Sequence, residues 1–340
     1  FSEGNEWIGG FSNIFMSAIG VDTPAGSIPE SLFATFQMTF AIITPALMIG
    51  AFVERIKFSA MLIFLSMWLL IVYVPVTHWV WGGGILSSWG TMDFAGGIVV
   101  HATAGTAALV TALTLGKRRG FPKSITPPHS PILTMIGASM LWIGWFGFNA
   151  GSALGANGGA GMAMLVTHIS AATASLVWMF IEWRRFGKPS LIGIVTGMVA
   201  GLATVTPASG YIGVPGGLIL GFFGGLLCYL AVDFIRGKLQ IDDSLDVFAV
   251  HGVGGILGTL LVAFLATSTF SGSGLAEGQT AVTQFFVQLK AVILTVVWTS
   301  VFTYLILKIT SFIVPLRVEE QEEIEGLDLR SHGEKGYHSD

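Results

Sequence analysis

The sequence predicts an all-α fold: a polytopic membrane helix bundle with inverted five-helix repeats, nine of the expected eleven helices being present. Three observations carry this. Of 340 residues, 53% are hydrophobic and 11% charged, with mean hydropathy +0.76, whereas a soluble domain carries about 25% charge. The charges are also clustered. Asp93 is the only formal charge between Lys57 and Lys117, and none falls from Ser124 to Ile181, Ser190 to Val232 or Val247 to Ala276. Finally, two apolar stretches hold a histidine in matching surroundings. One reads Asp93-Phe-Ala-Gly-Gly-Ile-Val-Val-His101-Ala-Thr-Ala-Gly105, the other Asp243-Ser-Leu-Asp-Val-Phe-Ala-Val-His251-Gly-Val-Gly-Gly255. Each has an Asp eight residues before the His and a Gly four after it.

A span needs about 20 apolar residues, and the chain supplies nine. The first, 29–53, ends before Arg55 and Lys57, and the second, 58–80, runs from there to the Trp79/Trp81 pair. The third, 96–115, carries His101 and stops at Lys117, Arg118, Arg119 and Lys123. The fourth, 131–151, is rich in Trp and Phe; the fifth, 159–182, is rich in Met and precedes Arg184, Arg185 and Lys188. The sixth and seventh, 190–207 and 215–235, hold Asp233 as their one charge and end before Arg236 and Lys238. The eighth, 246–268, carries His251, and the ninth, 284–313, is long enough to tilt. The 45 glycines suit close helix packing in lipid.

Basic residues concentrate on the cytoplasmic side of membrane proteins. Putting Arg55, Lys117, Arg184, Arg236 and Arg317 inside satisfies all nine spans, with Lys290 as the one discordant charge. The His101 span then runs outside to inside and the His251 span inside to outside, five spans later. The same pattern in opposite orientations is an inverted repeat of the transporter kind. Two five-span units plus one final helix make eleven, so the arithmetic places two further spans ahead of residue 29. The expected organisation is an extracellular loop, 1–28, a transmembrane domain, 29–313, and a cytoplasmic regulatory tail, 314–340. That tail is acidic, with Glu319, Glu320, Glu322, Glu323, Glu325 and Asp328. It is expected to bridge the basic loops at Lys117, Arg118, Arg119, Arg184 and Arg185, helped by hydrogen bonds around Gly326-Leu-Asp328.

An imidazole at membrane depth is costly unless it faces a partner or a cavity. His101 and His251, symmetry-matched, read as the lining of one pathway; the alternatives are an interhelical hydrogen-bonding pair and a metal pair. The last lacks a third ligand at suitable spacing, so no metal or other cofactor is expected, and the lone Cys228 adds none. Touching imidazoles would offer one acceptor and one donor to a small polar traveller. Aromatics cluster near the outer ends: Trp79, Trp81 and Trp89 around Gly82-Gly-Gly84, Trp142, Trp145, Phe146 and Phe148, and Phe36 with Phe40 at i and i+4. They read either as an interfacial belt or as a vestibule attracting a cation through π faces, with Ser152 adding an acceptor. Asp93 reads as a helix cap or as negative charge at the mouth, and Asp243 and Asp246 carry the same ambiguity inside. His78 and His168 read as structural, and His129, His332 and His338 as solvated. No nucleotide motif or nucleophile elbow occurs, so neither an enzyme nor a nucleic-acid binder is indicated.

The first histidine motif, running on to Leu115-Gly-Lys-Arg118, resembles the signature of the ammonium transporter (Amt/Rh) family, in its bacterial Amt form. So do Gly144-Trp-Phe-Gly-Phe-Asn-Ala-Gly-Ser152, Thr206-Pro-Ala-Ser-Gly-Tyr211, Asp246-Val-Phe-Ala-Val-His-Gly252 and Glu325-Gly-Leu-Asp-Leu-Arg-Ser-His-Gly333. The resemblance implies a homotrimer in the plasma (inner) membrane, cytoplasmic at its C-terminus, with one pore per subunit. It implies ammonium recruitment by Trp81, Phe40 and Ser152, a gate of stacked Phe40 and Phe148 rings, and a lumen lined by His101 and His251. Asp93, Phe36, Trp145 and Asp246 would support these, and the tail would touch a PII-type signalling protein. Ammonium would be recruited as the cation, deprotonated, and passed as ammonia through an apolar pore that a permanent cation cannot enter. An ammonium sensor signalling through the tail is the alternative from another class, and a neutral-gas or water channel the alternative within transport.

Overall fold

The structure, a computed structural model, describes residues 1–337; His338 lies outside the described residues. Eight helices are long and apolar enough to cross a membrane: α1 (Glu30–Ala51), α2 (Phe58–Ser88), α3 (Gly97–Leu115), α4 (Pro131–Gly151), α5 (Gly158–Phe186), α7 (Val214–Lys238), α8 (Phe248–Leu265) and α9 (Ala281–Ile313). The sixth expected span is a shorter helix, α6 (Leu191–Val205). It sits against α5 and α7 and is buried along most of its length, with Gly197 and Gly201 closely packed on α5. Helix α2 is broken at Gly82–Gly84. The expected all-α bundle is observed, and the only strands among the described residues are a small hairpin, Pro24–Ala25 with Ile28–Pro29.

Local sequence explains the helix starts. Ser130, Asn157, Ser190 and Thr280 each accept a backbone N–H from the first turn of α4, α5, α6 and α9, satisfying donors that a helix start leaves orphaned. The chain before α1 lies against the end of α2: Trp79 Nε1 donates to Trp7 O at 2.8 Å and Ile85 N to Glu6 O at 2.8 Å.

The two histidine helices cross at their histidines. The Thr103–Leu115 part of α3 packs on the Phe248–Gly252 turn of α8, and Val253–Leu265 packs on Gly97–Ala102. Gly105 meets Gly252, and Gly255 meets His101 and Gly97. A methyl at Gly255 would stand 2.6 Å from His101 Cβ and 2.8 Å from Gly97 O. The glycine four residues past each histidine is therefore the place where the opposite helix comes closest. Asp93 and Asp243 also match: each carboxylate accepts the N–H five residues on, from Ile98 and Phe248, at 2.8 Å. The inverted repeat is thus visible in packing and capping as well as in sequence.

The opposite end is held by ions. Arg55, read from sequence as a loop charge, has no exposed surface. Its guanidinium donates to Ala51 O, Asp242 O and Asp242 Oδ2. Arg118 donates to both oxygens of Asp242 and to Glu54. Burial pushes the Asp242 carboxyl up, but the hydrogen bonds and charge of Arg118, with the charge of Arg55, hold it below its ordinary range.

The tail returns to this end. Val318 N donates to Arg55 O, Lys57 N to Leu316 O, and Arg317 Nη1 to Leu115 O. A short helix, α10 (Glu320–Glu325), brings Glu323 to Arg317 at 2.8 Å and to Arg119 N at 2.8 Å. Only part of the expected bridging set is engaged. Lys117 donates to Gln240, Arg118 is taken by Asp242 and Glu54, and Arg185 pairs with Asp233. The reason is competition: these cations are taken by acceptors on neighbouring segments, Gln240, Asp242, Glu54 and Asp233. The bonds to the loops at this end come from residues 316–318 and Glu323, while Gly326 and Asp328 accept within the tail itself.

Candidate functional site

The site is assembled from α1, the end of α2, α3, α4 and α8. Phe36 and Phe40, one turn apart on α1, meet edge to face at 4.9 Å. Phe40 lies 5.3 Å from the Trp81 ring and 4.5 Å from Phe148. Phe148 lies 6.1 Å from the His101 ring, and His101 5.1 Å from His251. Five rings thus form a continuous series from Trp81 through Phe40 and Phe148 to the histidine pair. Phe40, 1% exposed, stands between Trp81 and Phe148 in the series. The Phe40 and Phe148 rings, which the resemblance gives as stacked, are in contact with an interplanar tilt of 49°.

The imidazoles meet through Nδ1 of His251 and Nδ1 of His101 at 3.1 Å. Only one of the two can supply the proton, so one ring donates and the other accepts. If His101 Nδ1 carries it, His101 Nε2 is an acceptor and His251 Nε2 a donor; the other tautomer reverses both. His101 Nε2 is buried without a protein partner. Both histidines sit where the helix widens to a π turn, Gly97–Ala102 and Phe248–Gly252. Such turns loosen the backbone repeat and recur at functional sites. Nothing in the hydrophobic periodicity marks them.

Asp93 settles into one of its two expected roles by geometry. Its carboxylate accepts from Gly96, Gly97, Ile98 and Val99 N at 2.6–3.1 Å and is 3% exposed, capping α3 rather than facing the mouth. Its backbone carbonyl accepts from Trp81 Nε1 at 2.8 Å. Trp145, expected at the outer rim, instead lies over His101 at 5.4 Å, tilted 16°, with Nε1 donating to Thr206. Helical rotation brings it there: Trp145 lies three residues before Phe148 and faces the same core. Ser152 donates its proton to Phe148 O at 2.9 Å, which leaves its lone pairs free. Asp246 pairs with Arg236 at 3.5 Å.

The remaining histidines are dispersed. His78 meets Asn5 O at 2.8 Å, His168 lies against Trp142, His332 against Phe58 and His129 against Tyr337. No cluster of three His, Cys, Asp or Glu side chains suited to a metal occurs among the described residues. Sequence reasoning missed Gln284 and Gln288, which are buried in α9 and bind the loop before Asp93. Two amides one turn apart in an apolar span were the available signal.

Comparison with known proteins places this geometry. The family model described as Ammonium Transporter Family matches residues 1–337. The chain is 48% identical over 317 residues to a protein of Methanothermobacter thermautotrophicus named putative ammonium transporter, covering 92% of this chain and 77% of that one. It is 42% identical over 342 residues to the ammonium transporter of Bacillus subtilis, covering 99% and 84%. Among solved structures, one named Sensor Amt Protein superposes with a TM-score of 0.89 at 30% identity, covering 98% of this chain and 84% of that one. Candida albicans Mep2 superposes with a TM-score of 0.86 at 35% identity, covering 94% and 73%.

Proposed function

The chain belongs to the ammonium transporter family, and from that premise we propose a mechanism in which the cation is recruited, deprotonated and conducted as ammonia. The observation that carries the reading is the ring series closing on two joined imidazoles. Trp81 and Phe40 offer π faces to a cation, and the Ser152 lone pairs accept one of its N–H groups. Below them the path is apolar. A bare cation there would lose its hydration at a cost of tens of kcal/mol in the low-dielectric limit. Ammonium escapes that cost by giving up a proton, leaving neutral ammonia; potassium has none to give. Ammonia then passes Phe40 and Phe148 and meets the pair, which presents one acceptor and one donor at every moment. Net charge crosses only if the released proton follows separately, and the shared imidazole bond is a relay suited to it.

The working unit in this reading is a homotrimer in the plasma membrane, with the tail cytoplasmic. The docked tail supports a regulatory role, with a PII-type protein as partner. A sensor reading, in which the tail is the main output, draws support from the same docking and from the likeness to the structure named Sensor Amt Protein.

The test is uptake of methylammonium into proteoliposomes with current recorded. Replacing His101 and His251 together by Leu should abolish ammonium-selective conduction while the assembled protein survives. Retained flux with potassium still excluded would overturn the histidine assignment.

A further inference from the structure

The mouth is held in place from a distance. Gln288, in the third turn of α9, has no exposed surface, and its amide uses every hydrogen bond it can make. Oε1 accepts from Met92 N at 2.8 Å and from Gln284 Nε2 at 3.2 Å. Nε2 donates to Met92 O at 2.7 Å and to Thr259 O at 2.9 Å. Gln284 adds a bond to Gly90 O at 3.0 Å. One side chain thus reads both backbone groups of Met92, as a strand partner would, and ties that residue to the His251 helix at Thr259. The next residue is Asp93, whose carbonyl accepts from the Trp81 indole at 2.8 Å. A buried amide with two donors and two acceptors all matched is costly to replace, because any substitute strands at least one partner.

We propose that Gln288 is a positioning residue for cation recruitment: its amide fixes the 90–93 turn, and the turn fixes the Trp81 ring. This rests on the reading of Trp81 as the recruiting face. The two ends of Asp93 are unequally held, and that decides which step suffers. The Trp81 indole has a single hydrogen bond to the turn. The start of α3, leading to His101, is held by four from the Asp93 carboxylate. Loosening Met92 therefore moves the mouth before it moves the lumen. Half-saturation should change while the maximal rate per folded molecule stays.

Methylammonium uptake by proteoliposomes containing wild type, Gln288→Leu, Gln288→Glu, Trp81→Leu and Trp81→Leu/Gln288→Leu tests this. Gln288→Leu removes all four bonds; the near-isosteric Gln288→Glu keeps acceptance from Met92 N and loses both donations as a carboxylate. Both should raise half-saturation several-fold, with maximal rate within about two-fold once normalised to folded protein. Neither should exceed Trp81→Leu, whose loss of a π face is worth roughly 2- to 30-fold. In the Trp81→Leu background, Gln288→Leu should add nothing, because the two act on one element. A lowered maximal rate with unchanged half-saturation in both Gln288 variants would make Gln288 a purely structural group and overturn the proposal. So would full additivity in the double variant. If Trp81→Leu leaves half-saturation unchanged, the recruitment reading falls and this proposal with it, an outcome separate from the other two.

Discussion

Replacing Asp93 by Asn tests whether the pore helix is anchored by its cap. The wild-type carboxylate accepts four backbone N–H bonds, two on each oxygen, with almost no exposed surface. Asparagine retains one oxygen and turns an NH2 toward two of the four donors. A hydrogen bond to a charged group contributes about 1.5–3 kcal/mol, so losing two costs roughly 3–6 kcal/mol. Loss of the negative charge at a helix N-terminus adds about 0.3–1 kcal/mol. At roughly 2 °C per kcal/mol for a chain of this size, melting should fall by about 6–14 °C. Cys228 provides the assay, since its thiol is fully buried and reacts with a fluorogenic maleimide only as the detergent-solubilised protein opens. Ammonium flux should fall with stability, because His101 lies on the first turns of the helix that Asp93 caps. Melting within about 1 °C of wild type would refute the argument from the cap.

Trp81→Leu removes the π face at the mouth, about 0.5–2 kcal/mol, so half-saturation should rise several-fold to ~30-fold; an unchanged concentration dependence of flux counts against the vestibule. Gly255→Ala forces a methyl 2.6 Å from His101 Cβ, an overpacking cost of about 1–3 kcal/mol. It should depress flux by parting the imidazoles, whereas Ala at Gly144, where nothing lies within 4 Å, should be silent; equal effects at the two sites would defeat the close-approach argument. Deleting residues 319–340 removes the Glu323 bonds to Arg119 and Arg317. It should lower flux and abolish capture of a PII-type protein with the trimer intact, and unchanged flux together with unchanged capture would leave the tail without this role.

Much of the architecture was written in one-dimensional pattern. Nine apolar runs, the side on which basic residues fall, and the matched surroundings of His101 and His251 are local properties of sequence. Hydropathy and charge act on each segment separately, so a helix bundle with an inverted repeat could be read without coordinates. The repeated Asp and Gly were legible as positions, and the motif resemblance named Trp81, Phe40, Phe148 and Ser152 as candidates. What each does depends on which neighbour it meets. Asp93 could cap a helix or charge a mouth, and only the fold turned four N–H groups toward it. Trp145 could belong to an interfacial belt or a vestibule, and helix rotation put it over His101. Arg55 looked like one more cytoplasmic charge until Asp242, far along the chain, buried it. Gln288 carried no motif at all, because its partners Met92 and Thr259 are brought to it by packing between helices. Segment identity follows from free energies of transfer that add residue by residue. Partner choice follows from distances between remote segments, which packing alone sets.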